Sequence, residues 1–475
     1  MSNSPHSPEE QFALAQEYYQ EADILLMQNK HHLAFPILQK AYEIPLASGK
    51  EAKILRSTIL HCLSHCFLAQ NDHQQALSFN QQGLDIIERV LGKKSEEALA
   101  IQIFMGRIWG VTGKYHSALE YLHRILKPLE TTAPASLQYG ILHMDIGLLH
   151  EKVKDYWRAI LYLQKSAQLF QNLEEDVPHW EALVYNGIGM NYSSGKNYDQ
   201  AIYYFQKALS TFSLCADDYQ HSIAGVHSNI AGIHHSLQQY EQAIDSFEKS
   251  LKIFEALEGN QTAPIAFTCM GLGRTYIKTS DFSKAHHFLK KSLELSLQIY
   301  NPQHPIVART YYTMAILYTK QKAFLPALHA CQQGLQVCPT FLANGDIYQN
   351  PLLENIHHHV CIPLLGWKAQ IFREYYLSNT SDSKKLEGAL ESATLALQVM
   401  DQIRQSYHSD HSKLSIEQNH SDIYQTGIEV AHITWSKTKD RKILEKAFWF
   451  AEKAKAILLL SAMQGEIAKI QSPIP

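Results

Sequence analysis

Charged side chains are scarce in this chain of 475 residues, since Asp, Glu, Lys and Arg together make up only 19% of it. The formal net charge is −4 and the isoelectric point lies near 6.7, so the chain lacks the basic surface with which proteins bind nucleic acid directly. No cluster of Lys and Arg accompanies an amphipathic stretch, as a peripheral membrane anchor would require. The composition therefore predicts no direct binding to nucleic acid or to a membrane.

Long apolar runs and a leader-like N-terminus are also missing. No run approaches the roughly 18 residues of a membrane span, and the opening MSNSPHSPEEQ has neither the basic nor the apolar region of a signal peptide. The seven cysteines are an odd number and are scattered through apolar helical patterns, which favours reduced thiols over a disulfide framework. We therefore expect a cytoplasmic protein.

Residue patterns typical of catalysis do not occur. The stretch Gly271–Tyr276, GLGRTY, is not a nucleotide-binding fingerprint, because no strand precedes it. A caspase-like site needs a Cys and a His held by a strand-rich domain, whereas the cysteines and histidines here lie in helical patterns or their turns. The sequence predicts no catalytic residues and no cofactor in this chain.

Histidine is abundant, with 26 residues, and one cluster has the spacing of metal ligands. In His61–Cys66, HCLSHC, two His and two Cys recur four residues apart on neighbouring stripes of a helix, which is compatible with zinc. The alternative is that the thiols belong to the core and the imidazoles to a groove surface. In the run at 357–359, HHH, adjacent side chains point in different directions on a helix. We predict no metal site.

An internal repeat dominates the rest of the sequence. One alanine recurs every 42 residues, with a single interval of 41. An aromatic residue or histidine stands three residues before each alanine, and Ala, Ser or Gly stands twelve residues before it. The alanines are Ala34, Ala76, Ala118, Ala159, Ala201, Ala243, Ala285 and Ala327. This regularity predicts eight copies of one structural unit.

Each copy has the pattern of a helix pair. The small residue and the alanine let two helices approach closely, and the aromatic residue fills the elbow between them. In Gly189–Leu209, GMNYSSGKNYDQAIYYFQKAL, we expect the first helix to end near Tyr192 and the second to begin at Tyr198. We predict a disordered N-terminus at 1–10, then eight repeats at 11–338. They would stack into an all-α, right-handed superhelical solenoid with a concave and a convex surface.

This unit resembles the tetratricopeptide repeat, whose signature is Leu-Gly-x-x-Tyr followed by Ala-x-x-x-Phe. Five copies match it specifically and the first three match it weakly. The usual repeat has about 34 residues, so these longer copies are similar to those of kinesin light chains and related bacterial proteins. The stretch Asn301–Tyr318, NPQHPIVARTYYTMAILY, adds to that likeness. The resemblance implies a scaffold that binds proteins or peptides.

A second resemblance begins where the repeats end. Residues 339–355 contain turn-forming clusters and predict a linker loop, and 356–475 predict irregular capping helices. The succession of NPLLEN, LLGWKAQIF and KAFWFAEKAKAILLL is similar to the segment ahead of a CHAT domain. That domain is a caspase-like peptidase that follows tetratricopeptide repeats in bacterial proteins. Ala454 stands where the family often has Ser.

The second resemblance implies a specific role. The chain would be the sensing and regulatory portion of a bacterial CHAT-type protease, or the partner that controls one, and a CHAT-like peptidase domain would follow Pro475. The alternative is a free-standing adaptor of the kinesin-light-chain kind.

The resemblance to tetratricopeptide repeats also implies which side chains line the groove. In related repeats these are first-helix positions 2, 5, 9 and 12, when the small residue is counted as 8. Carried over by position, the candidates are His65, Arg107, Asn186, Met190, Met270, Arg274, Arg309 and Tyr312. The last four come from adjacent copies and predict an anchor for an acidic-aromatic peptide segment. The alternative is that these side chains are solvated and have no partner.

Overall fold

The protein is described here by a computed structural model, whose described residues contain helices and turns but no strand. These residues are 7–27, 30–132, 136–173, 177–215, 219–257, 262–338, 340–341, 344–356, 359–378, 382–405 and 420–455. The expectation of an all-α protein is confirmed. The chain divides into two compact units, 1–229 and 230–475, and the boundary falls inside one helix.

The first unit is a succession of helix pairs. Its helices are α1 (Pro8–Met27), α2 (His31–Glu43), α3 (Lys50–Ala69), α4 (His73–Val90), α5 (Glu96–Val111), α6 (Tyr115–Thr132), α7 (Leu137–Lys152), α8 (Tyr156–Gln171), α9 (Pro178–Ser194), α10 (Tyr198–Phe212) and the start of α11 (Gln220–Ser236). The second helix of a pair also packs against the first helix of the next pair in four places, which are α2 with α3, α4 with α5, α6 with α7 and α8 with α9. The helix pairs therefore stack as a solenoid.

The N-terminal boundary differs from the expected one. Helix α1 begins at Pro8 and its first turn carries Glu9 and Glu10, which suit the positive end of a helix dipole. Residues 8–10 are therefore helical, although the sequence placed them in a disordered segment. Residues 1–6 lie outside the described part of the chain.

The second unit continues the pairs and then departs from them. Its helices after α11 are α12 (Tyr240–Ala256), α13 (Thr262–Lys278), α14 (Phe282–Ile299), α15 (Pro305–Lys320), α16 (Phe324–Leu335), α17 (Cys361–Ser378), α18 (Lys384–Gln405), α19 (Ser421–Thr438) and α20 (441–455). A 3₁₀ turn, Leu353–Asn355, lies in the segment between α16 and α17. One buried cluster of apolar side chains runs from the last repeats into α17, α18 and α19.

Some sequence expectations concern segments outside the described residues. Two of the three histidines at 357–359 belong to such a segment, and so do 456–475, where the last amphipathic pattern ends. The helical part of that pattern that the structure describes is α20.

The turn inside the second to the eighth pair has the same backbone conformation. In these pairs the residue five positions before the repeat alanine has a positive φ, which lies between 59° and 63° where it is not glycine. These residues are Asn71, Lys154, Lys196, Gln238, Ser280 and Lys322, with Gly113 at 81°. This left-handed residue ends the first helix. The predicted turn in the fifth copy is confirmed within two residues, because α9 ends at Ser194 and α10 begins at Tyr198.

The residue after that turn caps the second helix. The side chain of Asp72 accepts a hydrogen bond from the backbone N–H of Gln75, and Asp281 accepts one from Lys284 in the same way. Such caps satisfy donors that the first helical turn leaves unpaired.

Glycine permits the close approach of the two helices in several pairs. A Cβ atom at Gly189 would lie 2.7 Å from the ring of Phe205, and one at Gly273 would lie 2.6 Å from Leu289. In both pairs the nearest side chain belongs to the residue four positions after the repeat alanine, one turn further along the same helix face, and Gly273 also approaches the carbonyl oxygen of Ala285. That larger side chain fills the space left by the missing Cβ.

Candidate functional site

The eight groove candidates divide evenly between the two units. The first unit contains His65, Arg107, Asn186 and Met190, and the second contains Met270, Arg274, Arg309 and Tyr312. All four in the second unit line one cleft of about 650 Å³. We call this the cationic cleft, and its lining is His235, Met270, Arg274, Ile277, Lys278, Ser280, Phe282, Arg309, Tyr312, Thr313, Ile316, Lys320 and Trp367.

The two arginines give the cationic cleft its charge. Arg274 lies on α13 and Arg309 on α15, and both side chains are exposed. Within the described part of the chain, neither guanidinium forms an ion pair or a side-chain hydrogen bond, and no carboxylate belongs to the lining. Loss of hydration between the cleft walls lowers the pKa of both groups, and the charge of Arg309 lowers that of Arg274 further. The two groups therefore repel each other across the cleft.

Aromatic side chains form part of the wall beside the arginines. The ring of Tyr312 meets the indole of Trp367 edge-on, with centroids 6.3 Å apart. The indole Nε1 donates a hydrogen bond of 3.2 Å to Thr319 Oγ1, which fixes its orientation. Burial raises the pKa of Tyr312 to about 12, and the carboxylate of Asp422 acts in the same direction. Tyr312 is therefore a neutral hydroxyl at physiological pH.

The remaining polar groups of the cationic cleft have local explanations. Lys278 and Lys320 are the last residues of α13 and α15, where a cation is favoured by the helix dipole. His235 Nδ1 lies 3.1 Å from Thr275 Oγ1. Burial lowers the pKa of His235 to about 4, with further contributions from Arg274 and Lys278. This imidazole is neutral at pH 7.

Trp367, Lys278 and Lys320 belong to the cleft but were not among the groove candidates. Trp367 lies on α17, beyond the last repeat, so the positional rule does not reach it. The two lysines lie at first-helix position 13, one residue past the last position counted. Because both lysines occupy the same position in successive copies, the sequence could have identified them as neighbours in the groove.

Arg107 has a different environment in the first unit. Its Nη2 atom lies 2.9 Å from each carboxylate oxygen of Asp145, and this pair stands in a second cleft of about 380 Å³ between α5 and α7. Asp145 is almost fully buried. Burial raises its pKa, and the charge and hydrogen bonds of Arg107 oppose that effect. The positional rule found Arg107 but not its partner, which occupies position 6.

His65 is packed rather than available. Its ring stacks on Phe104 with centroids 3.7 Å apart, and its Nε2 lies 3.3 Å from His61 Nε2. His61 Nδ1 in turn lies 3.0 Å from Asn80 Oδ1. Burial lowers the pKa of His65 well below its ordinary value. In the described residues, no three or more His, Cys, Asp or Glu side chains are grouped so as to hold a metal ion.

Asn186 and Met190 lie on α9 and are half-buried. Asn186 Oδ1 accepts a hydrogen bond of 3.3 Å from Asn229 Nδ2, which comes from the first helix of the next pair. Of the four first-unit candidates, Arg107 is the one that lines the second cleft described above.

Two of the buried cysteines, Cys269 and Cys331, lack the environment of a nucleophile. Burial raises the pKa of Cys331 to about 12 and that of Cys269 to about 11, so both thiols stay protonated at neutral pH. None of the described helices combines the length and the apolar character that crossing a bilayer requires.

Comparison with known proteins identifies the repeat. Residues 138–213 and 222–298 match the family profile described as Tetratricopeptide repeat. No curated protein sequence matches the chain. The chain is thus an all-helical protein that contains tetratricopeptide repeats.

Solved structures that are similar to this chain share little sequence with it. The apo form of the quorum sensor NprR from B. thuringiensis has a TM-score of 0.56 at 16% identity, covering 86% of this chain and 98% of its own. The apo form of RapI has a TM-score of 0.51 at 16% identity, covering 80% and 99%. BtubC (BKLC) from P. vanneervenii has a TM-score of 0.40 at 19% identity, covering 54% and 95%. At these identities, NprR and RapI show a common fold.

Proposed function

We propose that this tetratricopeptide-repeat chain is a protein-interaction scaffold whose second unit binds a peptide segment of a partner protein in the cationic cleft. One observation carries the proposal. Two exposed guanidinium groups, Arg274 and Arg309, face an apolar and aromatic cleft without an acidic partner among the described residues. A segment with an acidic group beside an aromatic or aliphatic side chain would complement both features.

The energetics favour such a ligand. Arg, Tyr and Trp are the residue types that most often carry binding energy at interfaces, and Arg274, Tyr312 and Trp367 stand together here. An acidic ligand would relieve the repulsion between the two arginines, and its apolar side chain would pack against the part of the lining that contains Met270 and Ile316. A sensing role is further supported by the fold shared with NprR, which is described as a quorum sensor.

Selection from a displayed library of random eight-residue peptides tests the proposal. We expect the parent protein to enrich peptides that carry Asp or Glu next to Phe, Tyr, Trp or Leu. The double variant Arg274→Ala/Tyr312→Ala should lose these peptides, because truncation of a hot spot costs about 2 kcal/mol or more.

The matched control is Arg158→Ala/Tyr203→Ala. It removes the same two residue types from exposed positions on α8 and α10 of the first unit, and it should keep the selected peptides. Circular dichroism must show that both variants are folded like the parent. If the cleft variant keeps every selected peptide at unchanged affinity, the binding surface lies elsewhere.

A more specific form of the proposal concerns protease control. The sequence resemblance of residues 350–475 to the segment ahead of a CHAT domain supports a regulatory role toward a caspase-like peptidase, with peptide binding in the cleft as the input. The rival is a free-standing adaptor. The reading frame beyond Pro475 distinguishes them, because a CHAT-type protein would continue there into alternating strands and helices.

A further inference from the structure

The two arginines of the cationic cleft lack the local explanation that the two lysines have. Lys278 and Lys320 end their helices, where a positive charge is stabilised. Arg309 instead lies near the beginning of α15, which starts at Pro305, and there the helix dipole disfavours a cation. Arg274 lies inside α13, four residues before its end. Local helix electrostatics therefore does not account for this pair.

In the first unit, the Arg107–Asp145 ion pair shows how one carboxylate compensates the charge of one guanidinium group. Asp145 places both of its oxygens 2.9 Å from Arg107, so a single negative charge compensates a single guanidinium. In the cationic cleft two guanidinium groups face one space, and the described lining contains no carboxylate. One ligand carboxylate would leave the second guanidinium uncompensated. The cleft therefore calls for an anion with two charges and more than two acceptor atoms.

We propose that the acidic group recognised by Arg274 and Arg309 is a phosphoryl group carried on a side chain of the bound peptide. This inference rests on the proposed peptide-binding function and names its ligand class. A phosphorylated side chain carries a charge of about −1.5 to −2 and three acceptor oxygens at neutral pH. Two guanidinium groups can each form paired, charge-assisted hydrogen bonds with such a group.

The surroundings fit a phosphorylated peptide. The hydroxyl of Tyr312 is protonated at neutral pH and lies on the same wall, so it supplies a neutral donor. Lys278 and Lys320 keep the potential of the whole cleft positive, which speeds the encounter with an anionic peptide. The apolar residues of the lining, such as Met270 and Ile316, would contact the neighbouring side chains of the peptide.

Two adjacent carboxylates would bring the same total charge, so the experiment compares both sources. Isothermal titration uses three acetylated peptides in which a variable element is flanked by Leu on one side and Phe on the other. The variable element is phosphoserine, Ser or Glu-Glu. Inorganic phosphate serves as a fourth probe. We expect the phosphoserine peptide to bind about tenfold or more tightly than the Glu-Glu peptide, a difference that one good charge-assisted contact supplies. The Ser peptide should bind weakly and inorganic phosphate should compete.

Charge-neutral variants show where the phosphoryl group binds. Arg274→Gln and Arg309→Gln should each reduce the affinity for the phosphoserine peptide about tenfold or more and affect the Ser peptide little. Arg441→Gln is the control, since Arg441 is highly exposed on α20 and forms an ion pair with Glu445 one turn away. Equal affinity for the phosphoserine and Glu-Glu peptides overturns the inference. The inference is also overturned if the two variants lose as much affinity for the Ser peptide as for the phosphoserine peptide.

The outcomes separate this inference from the proposed function. If the library selects unphosphorylated peptides that require Arg274 and Tyr312, and the phosphoserine peptide does not compete with them, the ligand class is wrong and the peptide-binding function stands. If the phosphoserine peptide and the library both fail to bind, both proposals fall.

Discussion

Arg107 on α5 and Asp145 on α7 form an ion pair between successive repeats, with Nη2 2.9 Å from each carboxylate oxygen. The Asp145 side chain is 4% exposed, whereas that of Arg107 is 34% exposed. The burial cost therefore falls mainly on the carboxylate, and the arginine compensates it. The cationic cleft differs from this pair, because its two arginines form no such ion pair with a described residue.

Removal of Arg107 should destabilise the first unit. Arg107→Leu leaves a buried carboxylate without its cation, and we expect a loss of about 3 kcal/mol in the free energy of unfolding at pH 7. Arg158→Leu is the control, because Arg158 and Asp155 are both partly exposed and such a pair contributes under about 1 kcal/mol. Urea unfolding followed by circular dichroism gives both values. Equal losses for the two variants would show that the buried pair has no special role.

The loss in Arg107→Leu should also depend on pH. Without Arg107, the pKa of Asp145 in the folded state rises further above its unfolded value. The folded variant then holds a proton that the unfolded chain releases, so its stability falls as pH increases through this window. The gap between variant and parent should therefore narrow on lowering the pH from 7 towards 4. A gap that is constant over this range would contradict the burial of an ionised Asp145.

The buried lysine Lys368 should make the free energy of unfolding depend on pH above 7, where this free energy rises with pH. Lys368 is fully buried, and its Nζ donates hydrogen bonds to Gln349 O at 2.7 Å and Asn350 Oδ1 at 2.8 Å. Burial lowers the pKa of Lys368 to about 7, whereas an unfolded lysine titrates at about 10.4. Between these values the unfolded chain binds more protons, so this group makes the parent more stable as pH rises.

The variant Lys368→Met isolates that contribution. We expect its stability to lack the rise from pH 7 to 10, which for one proton reaches at most about 1.4 kcal/mol per pH unit. Buried thiols and tyrosines titrate in both proteins and largely cancel in the difference. Lys290→Met, at an exposed position, should run parallel to the parent. If the stability of Lys368→Met changes with pH in the same way as that of the parent, Lys368 titrates as a solvated lysine.

Two glycine-to-alanine changes should have opposite effects. At Gly189 a Cβ atom would lie 2.7 Å from the ring of Phe205, whereas at Gly225 it would meet nothing within 4 Å. Gly225→Ala should stabilise the protein by about 0.5–1 kcal/mol through helix propensity. Gly189→Ala should destabilise it by about 1–3 kcal/mol through overpacking. Thermal unfolding of the two single variants measures both, and a gain at Gly189 would mean that the helix pair separates easily.

The positions of the helices could be predicted because the repeated residues stand at fixed distances from the turn in each helix pair. The alanine, the aromatic residue and the small residue lie at fixed distances from a left-handed turn residue such as Lys196, so the sequence period places every helix pair. The contact of Gly189 with Phe205 was less predictable. The sequence shows which positions are small but not which neighbouring turn supplies the side chain that fills the gap.

The candidate site was predictable only in part. Arg274, Arg309, Tyr312 and Met270 lie in one cleft because equivalent positions of adjacent repeats share a surface. Trp367 comes from a helix outside the repeat, so no periodic rule identifies it. The pairing of Arg107 with Asp145 depends on side-chain reach between two helices, and the same rule selected Arg107 and Arg274 although their environments differ.

Whether the cationic cleft binds an acidic segment through Arg309 is tested most directly by a charge exchange. The dissociation constants of an acidic peptide selected on the parent, and of its Lys-substituted form, are measured for the parent and for Arg309→Glu. We predict that the two changes together cost at least about 1.4 kcal/mol less than the sum of their separate costs, because the reversed charges attract again. Costs that add to within about 0.5 kcal/mol would show that Arg309 does not contact the acidic group.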